Sequence, residues 1–254
     1  MSIHYYQQTP SVTAGTTLRD ATLPAAGSMG IGNPETHDAV MQNRQSFLNT
    51  LKITRDQWIQ ARQTHSDVVC EVTHRNGGWG FDEIMTAVQD CDGLYTMESE
   101  LMLAIFTADC VPVIFWDETS PLIGVIHSGW RGTVQGITPK ALLTIQNEKG
   151  IALKNLRVIL GPSLAKAHFE VDEDVYLRFK HLGYTDNYSA YRPETHKYHI
   201  DNQGVVYEQC RRIGIPEENI TRSTFDTFSE ETGFSYRQNK TKGRHMSFII
   251  RHDD

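Results

Sequence analysis

The chain has 254 residues, 39% hydrophobic and 22% charged, which is ordinary globular composition and ample for a sizeable core. Its formal net charge is −7, so nothing global favours nucleic acid or an anionic membrane surface as a partner. Four cysteines in a chain of this length do not make a disulfide framework.

The N-terminal stretch "MSIHYYQQTPSVTAG" lacks a basic segment followed by an apolar core, so no signal peptide is expected and the protein is read as cytoplasmic. No apolar run approaches the roughly 20 residues of a membrane helix. Repeats, low-complexity tracts and Pro/Ser-rich linkers are absent, which predicts one domain over residues 1–254.

"AGSMGIG" has glycines but no phosphate-loop lysine, and reads as a turn. "NPETHDAVMQNRQSFLNTL" predicts the first helix, with Asn33 as cap, Pro34 at its first position and Val40, Phe47, Leu48 and Leu51 at helical spacing. "SDVVCEVTH" alternates as a strand. "LMLAIFTADC", "VPVIFWD" and "PLIGVIH" are three apolar, strand-like runs, with a break or strand start near Pro112.

"TVQGITPKALLTIQNEKG" predicts a helix ending at Gly150 and starting near Thr133 or at Thr138–Pro139. "LKNLRVILGPS" reads as a strand. "VDEDVYLRFKHLG" and "DNQGVVYEQCRRIG" read as helices capped by Asp172 and Asp201, and "NITRSTFDTF" and "RHMSFIIRH" as late strands. Strands and helices intersperse without a βαβ rhythm, which predicts a layered α/β or α+β fold.

Three reactive side chains sit at the edges of strand-like runs: His65 in "RQTHSDVV", Cys110 in "TADCVP" and His127 in "VIHSGWRG". They are too far apart in sequence for a local finger. If their strands are neighbours, two imidazoles and a thiolate meet at one rim. Zinc accepts that set and keeps a fourth position open; copper tolerates it too. After His127, "SGWRG" adds glycines, Trp130 and Arg131, whose planar fork suits phosphate or carboxylate.

"DGLYT…LAIFTADCVPVIFWD…IGVIHSGWRGTVQGI" resembles the central signature of the laccase-domain proteins, a family also described as multicopper polyphenol oxidase-like or purine nucleoside phosphorylase proteins. "QNRQSF", "QTHSDVV", "LGPSL…HFEV" and "GFSYRQNKTKGRHMSFI" extend the likeness over nearly the whole chain. The resemblance implies a four-layer αββα sandwich with mixed sheets, similar to a toxin deamidase domain with a Cys–His pair. It implies zinc on His65, Cys110 and His127. It further implies phosphorolysis of adenosine, inosine, guanosine and methylthioadenosine, and deamination of adenosine. A bacterial branch is linked to editing of peptidoglycan precursors, and an older description assigns copper and phenol oxidation.

This chain departs from the family pattern at Ser66, where glycine is expected, and at Ser223-Thr224, where Cys-Thr is expected. It also departs at "HFEV", where a cysteine often precedes the "YEV" segment. No proposed ligand is lost.

On this reading Asp109, with Asp92 second, is the candidate proton carrier, and Arg131, then Arg44 and Arg237, would clamp phosphate. Phe or Tyr of "GFSYR" would stack on a purine. Three other readings share the residues. Cys110 could be a nucleophile with His127 as base, in a hydrolase acting on a cell-wall precursor amide. The chain could be a non-enzymatic metal- or nucleotide-binding module. Copper-dependent phenol oxidation fits least, because 11 histidines without a His-x-His pair do not make a multicopper site.

Overall fold

A computed structural model describes residues 1–253. In chain order it contains β1 Ile3–Gln8, β2 Val12–Thr17, α1 His37–Leu51, β3 Trp58–Gln60, β4 Val69–Glu71, β5 Gly93–Thr96, β6 Met102–Thr107, β7 Val111–Asp117 and β8 Ile123–Ser128. There follow α2 Trp130–Gln135, α3 Ile137–Lys149, β9 Leu156–Leu160, β10 Glu170–Val171, α4 Glu173–Lys180, β11 Ser189–Arg192, β12 Lys197–Ile200, α5 Asn202–Arg212, β13 Ile220–Arg222, α6 Tyr236–Asn239 and β14 His245–Arg251.

Two mixed sheets form the centre. One has the order β1-β2-β14-β6-β3, the other β13-β9-β7-β8-β5-β4, and β10-β12-β11 make a small third sheet. The strands β6, β7, β8 and β14 read as unbroken apolar runs because both of their faces are covered. In β7, Ile114 and Trp116 face the other sheet, where they meet Leu103, Ile105 and Ile249. Val111, Val113 and Phe115 turn the other way, onto Leu142 and Ile145 of α3 and Val206 and Cys210 of α5. On the far side, Met102, Ala104, Phe248 and Ile250 pack on Phe47 and Leu48 of α1. Helix, sheet, sheet, helix is the four-layer arrangement implied by the resemblance.

Several boundaries differ from the sequence reading. The first helix opens with a 3-10 turn at Pro34–Thr36 before α1 begins at His37. The turn "GWRG" is itself helical: α2 starts at Trp130 and stops at Gly136, whose left-handed φ of 76° separates it from α3. Pro139 then falls in the first turn of α3, where a missing N–H costs nothing. Only Ile220–Arg222 of "NITRSTFDTF" is strand. The remainder folds around Asp226, whose carboxylate takes the amides of Ala165 and Phe228 and the ring of His168. No helix among the described residues is long and apolar enough to cross a membrane.

Candidate metal centre and adjoining cavity

Antiparallel register brings two of the three reactive side chains together. Val111 pairs with Ser128 and Pro112 with His127, so Cys110, just before β7, meets the end of β8. His65 arrives on the loop between β3 and β4. Asp92 holds that loop: its carboxylate accepts the amides of Thr64, His65 and Ser66 at 3.1, 3.0 and 2.6 Å. The Ser66 hydroxyl adds a bond to Asp92 at 2.7 Å, so serine contributes an anchor that glycine could not. The backbone strain falls one residue earlier, on His65 at φ 61°.

Asp92 also fixes His127. Its Oδ1 lies 2.7 Å from His127 Nδ1, and its carbonyl accepts the His127 amide at 2.6 Å. Both side chains are buried, His127 at 3% exposure and Asp92 at 0%. With Nδ1 committed to a carboxylate, Nε2 is left for a metal or the thiol. Among the described residues, His65, Cys110 and His127 form the one cluster able to hold a metal ion, with ligand atoms within 4.8 Å of one another. The two imidazole rings stand edge-to-face, 4.8 Å between centroids. Gly129 leaves room for the cluster. A Cβ there would sit 3.0 Å from His65 Cδ2 and 3.1 Å from Cys110 Sγ. This soft-and-nitrogen donor set fits zinc, and fits a single copper as well.

The electrostatics agree with the geometry. Burial pushes the Cys110 thiol up, but the facing His127 and His65 bring it down on balance, to about 6. Burial depresses His127, yet the Cys110 thiolate and Asp92 raise it to about 9. Burial likewise works against the Asp92 carboxylate, and its bonds to His127 and Ser66 hold it below the usual range.

The cluster opens into a cavity of about 530 Å³, within the range of small-molecule sites. Asp109 borders it, at a left-handed φ of 86°. Its Oδ1 accepts from Thr227 Oγ1 at 2.8 Å and its Oδ2 from the Arg237 amide at 2.6 Å. Arg237 also borders the cavity, anchored through Nη1 to the carbonyls of His168 and Glu170.

Two of the expected clamps lie elsewhere. Arg131 is exposed on α2, with its guanidinium 4.4 Å above the Trp130 ring, and it is Trp130 that reaches the cavity. Arg44 is fully buried behind the wall. Its Nε and Nη2 donate to Met29 O, its Nη1 to Gly80 O and Phe81 O, and its Nη2 also to Gln60 Oε1. All five N–H groups are spent, so none remains for an anion. Tyr236 of "GFSYR" borders the cavity, while Phe234 packs on His245 instead.

Sequence reasoning missed Arg244. It borders the cavity beside Cys110 and Asp109, whose charges oppose the lowering that burial imposes on it. Its Nη1 is tied to the carbonyls of Thr241 and Gly243. The "KGRHMSF" segment carried that signal: an arginine directly before an apolar strand.

A family model described as multi-copper polyphenol oxidoreductase laccase matches residues 22–252, and the chain belongs to that family. It is similar to purine nucleoside phosphorylase YlmD of Bacillus subtilis, 33% identical over 212 residues covering 83% of this chain and 76% of that protein. A purine nucleoside phosphorylase YlmD of Geobacillus stearothermophilus is 30% identical over 233 residues, 91% of this chain and 85% of that protein. Among solved structures, YlmD from Geobacillus stearothermophilus matches with a TM-score of 0.90 at 27% identity, covering 98% of this chain and 99% of that one. The hypothetical protein YfiH of Bacillus licheniformis matches at 0.89 and 29% identity, covering 97% and 98%.

Proposed function

We propose that this protein is a zinc-dependent purine nucleoside phosphorylase of the cytoplasm that also deaminates adenosine and phosphorolyses methylthioadenosine. The observation that carries the reading is the meeting of the His65, Cys110 and His127 ligand atoms at a cavity bordered by Arg237 and Arg244. The relatives named as purine nucleoside phosphorylases support it. A single candidate three-residue cluster among the described residues argues against multicopper oxidation, which needs several metal sites.

His65, Cys110 and His127 would hold the zinc, which when bound acts as a Lewis acid and activates water near neutral pH. Asp92 fixes the His127 ring and the His65 loop, so two ligands are oriented before metal arrives. Arg237 and Arg244 bind phosphate with the N–H groups that backbone carbonyls leave unused, and aim its oxygen at the sugar carbon bearing the base. Asp109 holds the Arg237 end of the clamp and faces the cavity as the proton carrier for deamination. Trp130, Phe106 and Tyr236 give the cavity flat apolar surface against which a purine excludes water.

The test is metal analysis of protein purified without added metal, followed by base release from inosine with and without phosphate. Zinc near one equivalent and strictly phosphate-dependent release are expected, both lost in Cys110→Ala. Turnover that persists in that variant without metal would refute the mechanism.

A second reading rests on the Cys110–His127–Asp92 row, in which a thiol lowered to about 6 faces an imidazole oriented by a buried carboxylate. That is the layout of a thiol nucleophile, its base and an orienting acid, suited to amide hydrolysis in a cell-wall precursor. Indifference to chelators combined with loss of activity on alkylation distinguishes it.

A further inference from the structure

All four cysteines are free thiols, and two of them meet away from the candidate metal centre. Cys70 stands in β4, the edge strand of the six-stranded sheet, half-buried against the packing between the sheets. Cys91 is fully buried in that packing, two residues before β5. The parallel pairing of β4 with β5 brings the two segments side by side: the Asp92 amide donates to Val68 O at 2.9 Å, and Cys70 lies opposite Leu94. The two thiols are hydrogen-bonded to each other.

That contact sorts their roles. The hydrogen bond with Cys91 lowers the Cys70 thiol to about 7, against burial, and the same bond, followed by burial, raises the Cys91 thiol. Charge therefore collects on the half-buried sulfur, which is the nucleophile, and the proton stays on the enclosed one. Cys91 directly precedes Asp92, whose charge bears on its thiol. Asp92 in turn holds the His127 ring and the His65 loop. The phosphorylase chemistry uses neither cysteine, and paired thiols in a reducing compartment serve more often as transient sensors than as staples.

We propose that Cys70 and Cys91 form a redox site that reacts with a small hydroperoxide, and that closing the pair to a disulfide loosens the metal centre through Asp92. With hydrogen peroxide, the Cys70 thiolate attacks one oxygen and the O–O bond breaks. Hydroxide leaves and takes a proton from solvent to become water, and Cys70 is left as a sulfenic acid. The Cys91 sulfur then attacks the Cys70 sulfur, the S–O bond breaks, and the departing hydroxide takes the Cys91 proton as a second water. The pair loses two electrons and the peroxide gains them. A disulfide holds its Cβ atoms roughly 3.5–4.5 Å apart. Cys70 is fixed within β4, whereas Cys91 lies outside β5, beside Asp90 at a left-handed φ of 50°. The Cys91 end therefore shifts to close the bond and carries Asp92 with it. The coupling rests on the proposed zinc, and the thiol chemistry does not.

The experiment treats the zinc-loaded full chain with hydrogen peroxide, removes the excess with catalase, and alkylates the remaining thiols after denaturation. Mass spectrometry of non-reduced peptides should find Cys70 linked to Cys91, with Cys110 and Cys210 alkylated, and dithiothreitol should abolish the link. Competition with a chromophoric chelator should show zinc held about tenfold more weakly in the oxidised protein, the scale of a lost orienting partner. Reduction, followed by removal of the reductant, should restore it. Cys70→Ser, on the edge strand, and Cys91→Ala should each bind zinc as wild type does and keep that affinity after peroxide. A linked peptide containing Cys110, or irreversible oxidation of Cys70 with Cys91 still free, overturns the site. A linked pair with unchanged zinc affinity overturns the coupling. The peptide map needs no metal, so its failure leaves the phosphorylase reading standing. Protein that holds no zinc before oxidation overturns that reading and the coupling with it.

Discussion

The Asp92 carboxylate joins two segments of the candidate metal centre: one oxygen lies 2.7 Å from His127 Nδ1 and 3.0 Å from the His65 amide. One buried acid thus sets both the ring of His127 and the loop of His65. Replacing it with asparagine puts an NH₂ among N–H donors. Asp92→Asn should weaken zinc binding by roughly 10–100-fold while Cys110 remains in place. Competition with a chromophoric chelator measures this, and an unchanged affinity would show that Asp92 does not orient the ligands.

Gly129→Ala tests the space around the cluster. The new Cβ would press on His65 and Cys110 at about 3 Å. Zinc content should fall sharply with little change in the far-ultraviolet circular dichroism. Full occupancy in this variant would mean that the ligands close from another direction.

In metal-free protein the thiolate of Cys110 is favoured down to about pH 6, and His127 stays charged up to about pH 9. The pair is therefore mutually charged between those limits. It loses its thiolate as pH falls through the lower one and its imidazolium as pH rises through the upper. Iodoacetamide labelling of Cys110 should rise with a midpoint near pH 6, and His127→Ala should move that midpoint toward the ordinary thiol range near 8.5. Added zinc should suppress labelling. A wild-type midpoint near 9 contradicts the pairing.

His245 is buried with Nδ1 bonded to Thr17 O at 2.7 Å and Nε2 accepting from the Phe234 amide at 2.8 Å. Burial pushes it down to about 4, against the opposing pull of Thr17. An unfolded histidine protonates near 6.5, so the unfolded state gains its proton first. Stability should therefore fall by about 3 kcal/mol from this group as pH drops from about 6.5 to about 4. Urea unfolding of His245→Gln across that range should show a slope shallower by that amount, and parallel slopes would refute it.

The proposed function gives phosphate to Arg237 and Arg244, which border the cavity. Arg244→Met should raise the KM for phosphate by more than about tenfold, with a small change in the KM for nucleoside. Arg131→Met, on the exposed face of α2, should change neither by more than about twofold. Steady-state kinetics with each substrate varied in turn separates the two.

The three residues of the candidate metal centre and the central strands were legible because each lies at the edge of an apolar run, and such runs need only local pattern to be seen. Less was legible where partners come from far away. "IHYYQQ" and "VTAGTT" look polar, yet they form β1 and β2 because distant β14 pairs with β2, which in turn pairs with β1. Arg44 has the spacing of an exposed helix residue, and only the carbonyls of distant loops make it a buried strut. Asp92 resembles a turn acid in "QDCDGL", and its carboxylate acquires meaning only once the loop after β3 folds onto it. Arg131 misled because "GWRG" resembles an anion-binding turn, whereas its helical twist sends that side chain outward.

The order β1-β2-β14-β6-β3 seats the last described strand between β2 and β6, both of which precede it by more than 100 residues. A nascent chain still tethered to the ribosome before β14 emerges holds this sheet as two separate halves, with Ile249 missing from between the layers. Arg244, beside the start of β14, is likewise absent until then. Closure of this sheet, and of the cavity rim that Arg244 borders, therefore waits on the threading of one late strand.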